Sequence, residues 1–393
     1  MLQENESLID FLPLRKPMKT KPISIVAGLV ALALFAGFTA VHAAAKTGTL
    51  ITKSQTGDPA LKGIGALAFG PGGLLLVAEN GGAIVAIETG DASPTVKLSA
   101  RVEDVAGAIA QQLKVAADAV SIVDLAVNPA SGRIYLAAQS KDGKSHSIFT
   151  VSTKGDLAPI DFSKLKYARV AIPGKVSRIT DVAFAGDRVL AAGQSNEEFS
   201  SKIYALPTPI EHGATANVYS AETYHVAHNK WETKAPIQSL VPYEEGGKQY
   251  VVGSFVCTPV VKFPLDAVQP GATIRGLSII ELGSGNRPLD MFTYRSGGKN
   301  WVVTQTQRFH KTLFGPSQFW GARVDMALMA TNDDAKVNKN AIRRDTTKPK
   351  GPDGVEIVDA LFGAVQVDKH SDAEAVVLRE KEGKLTLELV PLP

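Results

Sequence analysis

Five stretches of this chain repeat one pattern at near-constant spacing, and that repeat limits the available folds more than any other feature. IGALAFGPGGLLLVAEN (64–80), IVDLAVNPASGRIYLAAQS (122–140), ITDVAFAGDRVLAAGQS (179–195), IQSLVPYEEGGKQYVVGSF (237–255) and PLDMFTYRSGGKNWVVTQT (288–306) share one order. Each has a short apolar run, a turn with Gly or Asp, and a second run of small and β-branched residues. That is a β-hairpin signature. Ala66, Asp124, Asp181, Ser239 and Asp290 fall in one column, separated by 58, 57, 58 and 51 residues. A sixth, weaker copy starts at Ala364 with AVQVDKHSDAEAVVLREKEGKLTLELVPL. The first four copies continue with two more strand-like runs, such as AIVAIETG then TVKLSARV, or KIYALPTP then ATANVYSAETYH.

Four antiparallel strands per copy, six copies and little helix predict an all-β fold, a six-bladed β-propeller of four-stranded antiparallel blades. The sixth copy runs out of chain after three strands. TGTLITKSQ (47–55) is expected to supply the missing outer strand by pairing with Lys384–Val390, so that an N-terminal strand completes the last blade and closes the ring. A pair of β-sandwiches is the alternative, and the even spacing argues against it. Two segments interrupt the repeat. Residues 103–120 place Val105, Ile109 and Leu113 at helical spacing. Residues 331–354 are polar and read as a loop. Neither is long enough for a second domain, so one propeller domain is expected over 47–393. The blade pattern, carried by strings such as GALAFGPGGLLLVAENGGAIVAI, resembles the six-bladed propeller group of NHL-repeat proteins and SMP-30/gluconolactonase-like lactonases. The resemblance spans nearly all of the chain after its leader, as a blade pattern and without a ligand-by-ligand match.

The chain opens with Arg15, Lys16, Lys19 and Lys21, then the uncharged run ISIVAGLVALALFAGFTAV (23–41), then Val41-His42-Ala43. This is the order of a secretory signal peptide, expected over 1–43, which places the protein in the periplasm or outside the cell. An uncleaved single-span anchor is the alternative, and no membrane span is expected after cleavage. A single Cys, Cys257, excludes an internal disulfide and a CxxC pair. The net charge of +3 over 393 residues leaves no electrostatic footprint for nucleic acid. The motifs GxSxG, HExxH, the P-loop and the EF-hand are missing from the sequence. Gly63-x-Gly65-x-x-Ala68 opens a strand instead of a helix, so the dinucleotide argument fails.

Propeller topology puts the plain hairpin turns on one face. The opposite face receives the longer loops, and converging polar side chains there are the usual form of a binding site. The candidates on it are Asn196, Glu197, Glu198, His225, His228, Asn286, Arg287, Arg308 and His310. His225 and His228 with a carboxylate could hold zinc or supply a base. Arg287 and Arg308 could grip a carboxylate or phosphate. The aromatic run Phe309, Phe314, Phe319 and Trp320 suits recognition. Asp124, Asp181 and Asp290 occupy equivalent inner-strand positions around the channel, where carboxylates suit a hard divalent cation such as calcium. The alternative is structural, with each Asp capping backbone amides of its own blade. No other cofactor is implied. The sequence points to an exported binding protein that recognises a small molecule or an exported protein on this face. A metal-dependent hydrolase of lactonase type is the alternative, so whether the chain is an enzyme stays open at this point.

Overall fold

The second run of each repeat is apolar on both sides because it lies between two neighbouring blades. In Leu74–Glu79, Leu75 and Val77 pack with Tyr135, Ala137 and Ile148 on one side. Leu74, Leu76 and Ala78 pack with Val182, Val189 and Leu206 on the other. Alternation of the side chains along the strand serves two seams at once, so the run reads as continuously hydrophobic. The computed structural model describes residues 49–393 apart from 81, 93–95, 258, 284, 310–314, 330–341 and 345–350. The leader expected over residues 1–43 lies outside the described residues.

Six antiparallel sheets form the six blades, numbered here by the chain order of their inner strands. Blade 2 runs Val120–Val127, Ile134–Ser140, His146–Val151 and Leu157–Pro159. Blade 3 runs Val176–Ala185, Arg188–Ser195, Ser201–Pro207 and Asn217–His225, with Lys230–Glu232 outermost. Blade 4 runs Ile237–Glu245, Lys248–Phe255, Pro259–Pro264 and Leu277–Glu281. Blade 5 runs Asn286–Ser296, Lys299–Arg308, Phe319–Asp325 and Val355–Ile357. Blade 6 has Ala364–Lys369, Glu374–Lys381 and Lys384–Pro391. The arrangement is the six-bladed propeller that the repeat implied.

Blade 1 departs from chain order. Its first three strands are Leu67–Gly70, Leu74–Glu79 and Ala83–Glu88. Its fourth is Lys166–Ala171, which follows the whole of blade 2 in the chain and pairs from Lys166↔Glu88 to Ala171↔Ala83. Blade 2 is therefore inserted between the third and fourth strands of blade 1. The apolar clusters record the consequence, since each fills one seam. The seams join blades 1 and 3, 3 and 4, 4 and 5, 5 and 6, 6 and 2, and 2 and 1. Around the ring the order is 1-3-4-5-6-2.

Two expectations about the outer strands are corrected. TVKLSARV does not complete blade 1. Its Val102 instead lies against blade 6, donating its amide to Leu387 O at 2.9 Å and accepting from Leu387 N at 3.0 Å. The N-terminal segment does not pair with Lys384–Val390. Ile51–Thr52 pairs in parallel with Ile210–Glu211, and Gln55–Thr56 pairs with Lys166–Tyr167. Burial decides the outcome, because Ile51 is 1% exposed in the core between blades 1 and 3.

The helical spacing forms the α-helix Val105–Leu113. Asp104 caps it by accepting the Gly107 amide at 2.8 Å, and Lys114 ends it in the left-handed region at φ 57°. Val105 and Ile109 pack with Leu136, Phe149, Val376 and Leu387, so the helix wedges the seam between blades 2 and 6. Among the described residues no helix is long and apolar enough to cross a membrane.

Candidate functional site

The repeat column acquires its geometry from a backbone irregularity that recurs in five blades. The pairing of first and second strands skips a residue between Ile122 and Asp124, Ile179 and Asp181, Ile237 and Ser239, Pro288 and Asp290, and Ala364 and Gln366. Such a bulge re-aims the next side chain. Asp124, Asp181, Ser239, Asp290 and Gln366 follow it directly and turn toward the channel and the adjoining blade.

The carboxylates are engaged by amides. Asp124 accepts from Leu125 N at 2.9 Å in its own blade and from Leu67 N at 2.6 Å in blade 1. Asp181 accepts from Val182 N at 2.7 Å, and from Leu240 N and Ser239 Oγ, both at 2.8 Å, in blade 4. Asp290 accepts from Val367 N of blade 6 at 2.8 Å. A fourth carboxylate, Asp368, accepts from Lys369 N at 2.7 Å and from Val127 N of blade 2 at 2.7 Å. With its amide nitrogen turned inward, Gln366 donates to Asp124 at 3.0 Å and to Asp290 at 3.1 Å.

Burial dominates the ionisation of this ring. It pushes Asp124 up to about 8, against the opposing pull of the Leu67 amide and with help from the charges of Asp181 and Asp368. Burial likewise lifts Asp368 to about 7 and Asp181 to about 6. Asp290 is held well above the usual carboxylate range by burial and then by Asp124. Asp124 is 9% exposed and the other three are half-buried, with desolvation prevailing at all four sites. Among the described residues no group of three or more His, Cys, Asp or Glu side chains is drawn together as a metal centre.

Above the ring, at the end of the channel where the inner strands begin, lies a basic layer. Arg178 and Arg287 each stand three residues before their column Asp, on blades 3 and 5. Blade 4, between them, contributes Gln238, whose Oε1 accepts from Arg287 Nε at 3.3 Å. Sequence reasoning selected Arg287 and missed Arg178, although both hold the same place in the repeat.

Glu197 borders a cleft of about 260 Å³ that opens on the same face. Its other walls include Pro173–Lys175, Ser195, Lys202, Tyr204 and Ser220. The Lys202 side chain is 12% exposed, pairs with Glu197 at 3.0 Å and donates to Ser220 Oγ at 3.1 Å. The Lys202 hydrogen bond holds Glu197 below its usual value, and burial pushes Tyr204 up to about 12. Asn196 and Glu198 are exposed beside Glu197.

The remaining candidates are scattered. His225 is 3% exposed and stacks on His228 with ring centres 5.2 Å apart. His228 Nδ1 lies 2.8 Å from Glu232 Oε1. Burial lowers His225, with Glu232 opposing and His228 adding to the shift. Glu281 fixes this loop by accepting the Val226 amide at 2.6 Å. Asn286, 1% exposed, accepts from Trp320 Nε1 at 3.0 Å, so it braces the core. Trp320 is fully buried between blades 4 and 5, which removes it from the recognition surface. Arg308 is 6% exposed, whereas Phe309 is 60% exposed. His310 and Phe314 lie outside the described residues. Cys257 sits at a strand end with left-handed backbone, φ 66°.

No family model matches the chain, and no curated protein matches it. Among solved structures, a Thermus thermophilus oxidoreductase (glucose dehydrogenase) is 15% identical at TM-score 0.32, with 86% of this chain and 99% of that one covered. An exo-1,5-α-L-arabinanase from a bovine ruminal metagenomic library is 13% identical at TM-score 0.34, with 67% and 90% covered. A Trichoderma reesei carbohydrate-active enzyme of family AA12 is 10% identical at TM-score 0.32, with 86% and 96% covered. Likenesses of this size carry no argument about activity.

Proposed function

We propose that the protein is an exported propeller that binds a small polar solute on its loop-rich face, in the cleft between the link into blade 3 and the Glu197 loop. One observation carries this reading: a cleft of about 260 Å³ lined by Glu197, by Lys202 with its nearly buried side chain, and by Ser195, Tyr204 and Ser220. A concave site with a few convergent polar groups on a rigid scaffold is the common form of a ligand pocket. Lys202 and Glu197 offer a donor and an acceptor held by each other, so a hydroxylated solute exchanges with an existing pair instead of leaving a charge unpaired. Export rests on the charged segment and apolar run before Ala43.

The test is a thermal-shift and calorimetric screen of neutral and zwitterionic solutes the size of a monosaccharide or an amino acid. A hit should raise the melting temperature in the wild type and lose that effect in Lys202→Met and Glu197→Gln. Solutes that bind the variants equally would remove the cleft from the account. Elemental analysis of the purified chain separates the alternative, because a metal-dependent hydrolase should carry one metal per chain and open lactones. N-terminal sequencing of envelope protein checks cleavage near Ala43, which a chain still starting at Met1 or Met18 would contradict.

A further inference from the structure

We propose that the loop-face mouth of the central channel is an oxyanion site, in which Arg178 and Arg287 grip a carboxylate or phosphate group with Gln238 between them. It is separate from the Glu197 cleft and does not depend on it.

The placement follows from topology. Arg178, Gln238 and Arg287 lie near the starts of the inner strands of blades 3, 4 and 5, which are consecutive in the ring. Those strands pack side by side, and Thr180 Oγ1 and Arg287 Nε bridge the two seams through Ile237 O at 2.9 Å and Gln238 Oε1 at 3.3 Å. Arg178 is exposed at the mouth and Arg287 is half-buried. Arg178 senses the charges of both Arg287, two blades on, and Asp124, on blade 2.

The charges there are not balanced. Among the described residues no carboxylate lies within ion-pair distance of Arg178 or Arg287. Although Arg178 is exposed in surface area, partial desolvation by the surrounding chain and then the neighbouring Arg287 guanidinium lower it. The carboxylate it does sense, Asp124, is raised by its own burial, which weakens the compensation it supplies. Two like charges held near each other with no carboxylate at ion-pair distance are a cost that a bound anion reduces. Guanidinium forks match the oxygens of carboxylate and phosphate, and two of them converging favour such groups over chloride. The same column carries Ser121 in blade 2, Pro236 in blade 4 and Gly363 in blade 6, so the pair of arginines is a local feature and not a constraint of the repeat.

The experiment titrates the full exported chain with inorganic phosphate and, separately, with malonate, at constant ionic strength made up with chloride. Melting temperature and calorimetry are the readouts. Saturable binding of either anion is expected, and the arm that responds names the chemistry. Affinity should fall about tenfold or more in Arg178→Gln and in Arg287→Gln, about the size of one lost charge-assisted fork. Arg178→Lys keeps the charge, loses the fork and should bind at an intermediate level. Lys202→Met, in the cleft, should leave the anion response unchanged. Without anion, Arg178→Gln should melt at or above the wild type, because repulsion is relieved. No saturable response to either anion overturns the proposal, and so does a response that both glutamine variants retain.

Discussion

The Asp124 carboxylate accepts the backbone amide of Leu67 at 2.6 Å, and the bond crosses from blade 2 to blade 1. Asp181 makes the same reach to Leu240 in blade 4, Asp290 to Val367 in blade 6, and Asp368 to Val127 in blade 2. Every bond runs to the next blade in the same rotational sense. The aspartates therefore act as staples between blades, and they trace the ring order independently of the apolar seams. A staple of this kind fixes one blade against the next with one side chain, where apolar contact alone would permit sliding.

Removing a staple should therefore destabilise the ring. Asp124→Ala leaves the Leu67 amide buried without an acceptor, which costs about 1–3 kcal/mol. The midpoint of urea unfolding should fall accordingly. The loss should be larger at pH 5 than at pH 8, because at pH 8 the variant also sheds an ionised carboxylate that burial disfavours. Equal losses at both pH values would show that Asp124 is not perturbed.

The four raised carboxyls set a pH slope for the wild type. In the unfolded chain they titrate near about 4. In the folded ring Asp181, Asp368 and Asp124 titrate near about 6, 7 and 8. Between those limits the folded state holds more protons, so the ring's contribution to stability falls as pH rises through the window and is recovered toward acid. His225 acts with the opposite sign. Its folded value is lowered, so stability is lost as pH drops below the usual imidazole range. Melting curves of His225→Phe against wild type should therefore diverge only below about pH 6.5, with the variant retaining more of its stability in acid.

Arg169 holds the strand that blade 1 takes from beyond blade 2. Its Nη2 lies 3.1 Å from Glu79 Oε1 and 2.6 Å from Pro59 O. Glu79 is 2% exposed. Arg169→Ala takes the guanidinium from this carboxylate and leaves it the Lys62 amide as a donor, and breaking a buried pair costs about 3–5 kcal/mol. The low end applies because the Arg169 side chain is 27% exposed. Arg169→Lys should recover only part of the loss, since a point charge cannot make both contacts. Unfolding curves of the two variants decide the matter.

The fold was legible where repetition was strong. Five copies with one turn position define hairpins, and the column residues mark the inner strands around a channel. The ring order was not legible, because a hairpin signature says which strands pair within a copy and nothing about which copy sits beside which. The link from Glu88 to Val120 is long enough to travel to the far side of blade 1, and only seam packing reveals that it does. Asp368 was hidden because the sixth copy puts Gln366 in the column and its carboxylate two residues later. Trp320 and Asn286 looked like loop chemistry because loop position was inferred from chain order, whereas their bond to each other is buried. Arg178 had a signal, its shared offset with Arg287 before the column Asp.

Closure of the last blade gives the final prediction. Among the described residues blade 6 has three strands, and its outer edge at Leu387 is met by Val102 through two backbone bonds of 2.9 and 3.0 Å. The helix that follows at once packs its Val105 and Ile109 against Leu387 and Val376. Val102→Pro removes one donor and strains the residue before it, while leaving the apolar contacts of the helix in place. The edge is then exposed, and the variant should melt lower and aggregate on heating at concentrations where the wild type does not. Truncation before Gly57, which removes both N-terminal strands, should leave the blade 6 edge untouched, because those strands pair with Ile210–Glu211 and Lys166–Tyr167 in other blades. Hydrogen exchange reads both variants directly. The amides of Lys384–Pro391 should lose protection in Val102→Pro and keep it in the truncated chain. The reverse result would return the N-terminal strand to the last blade.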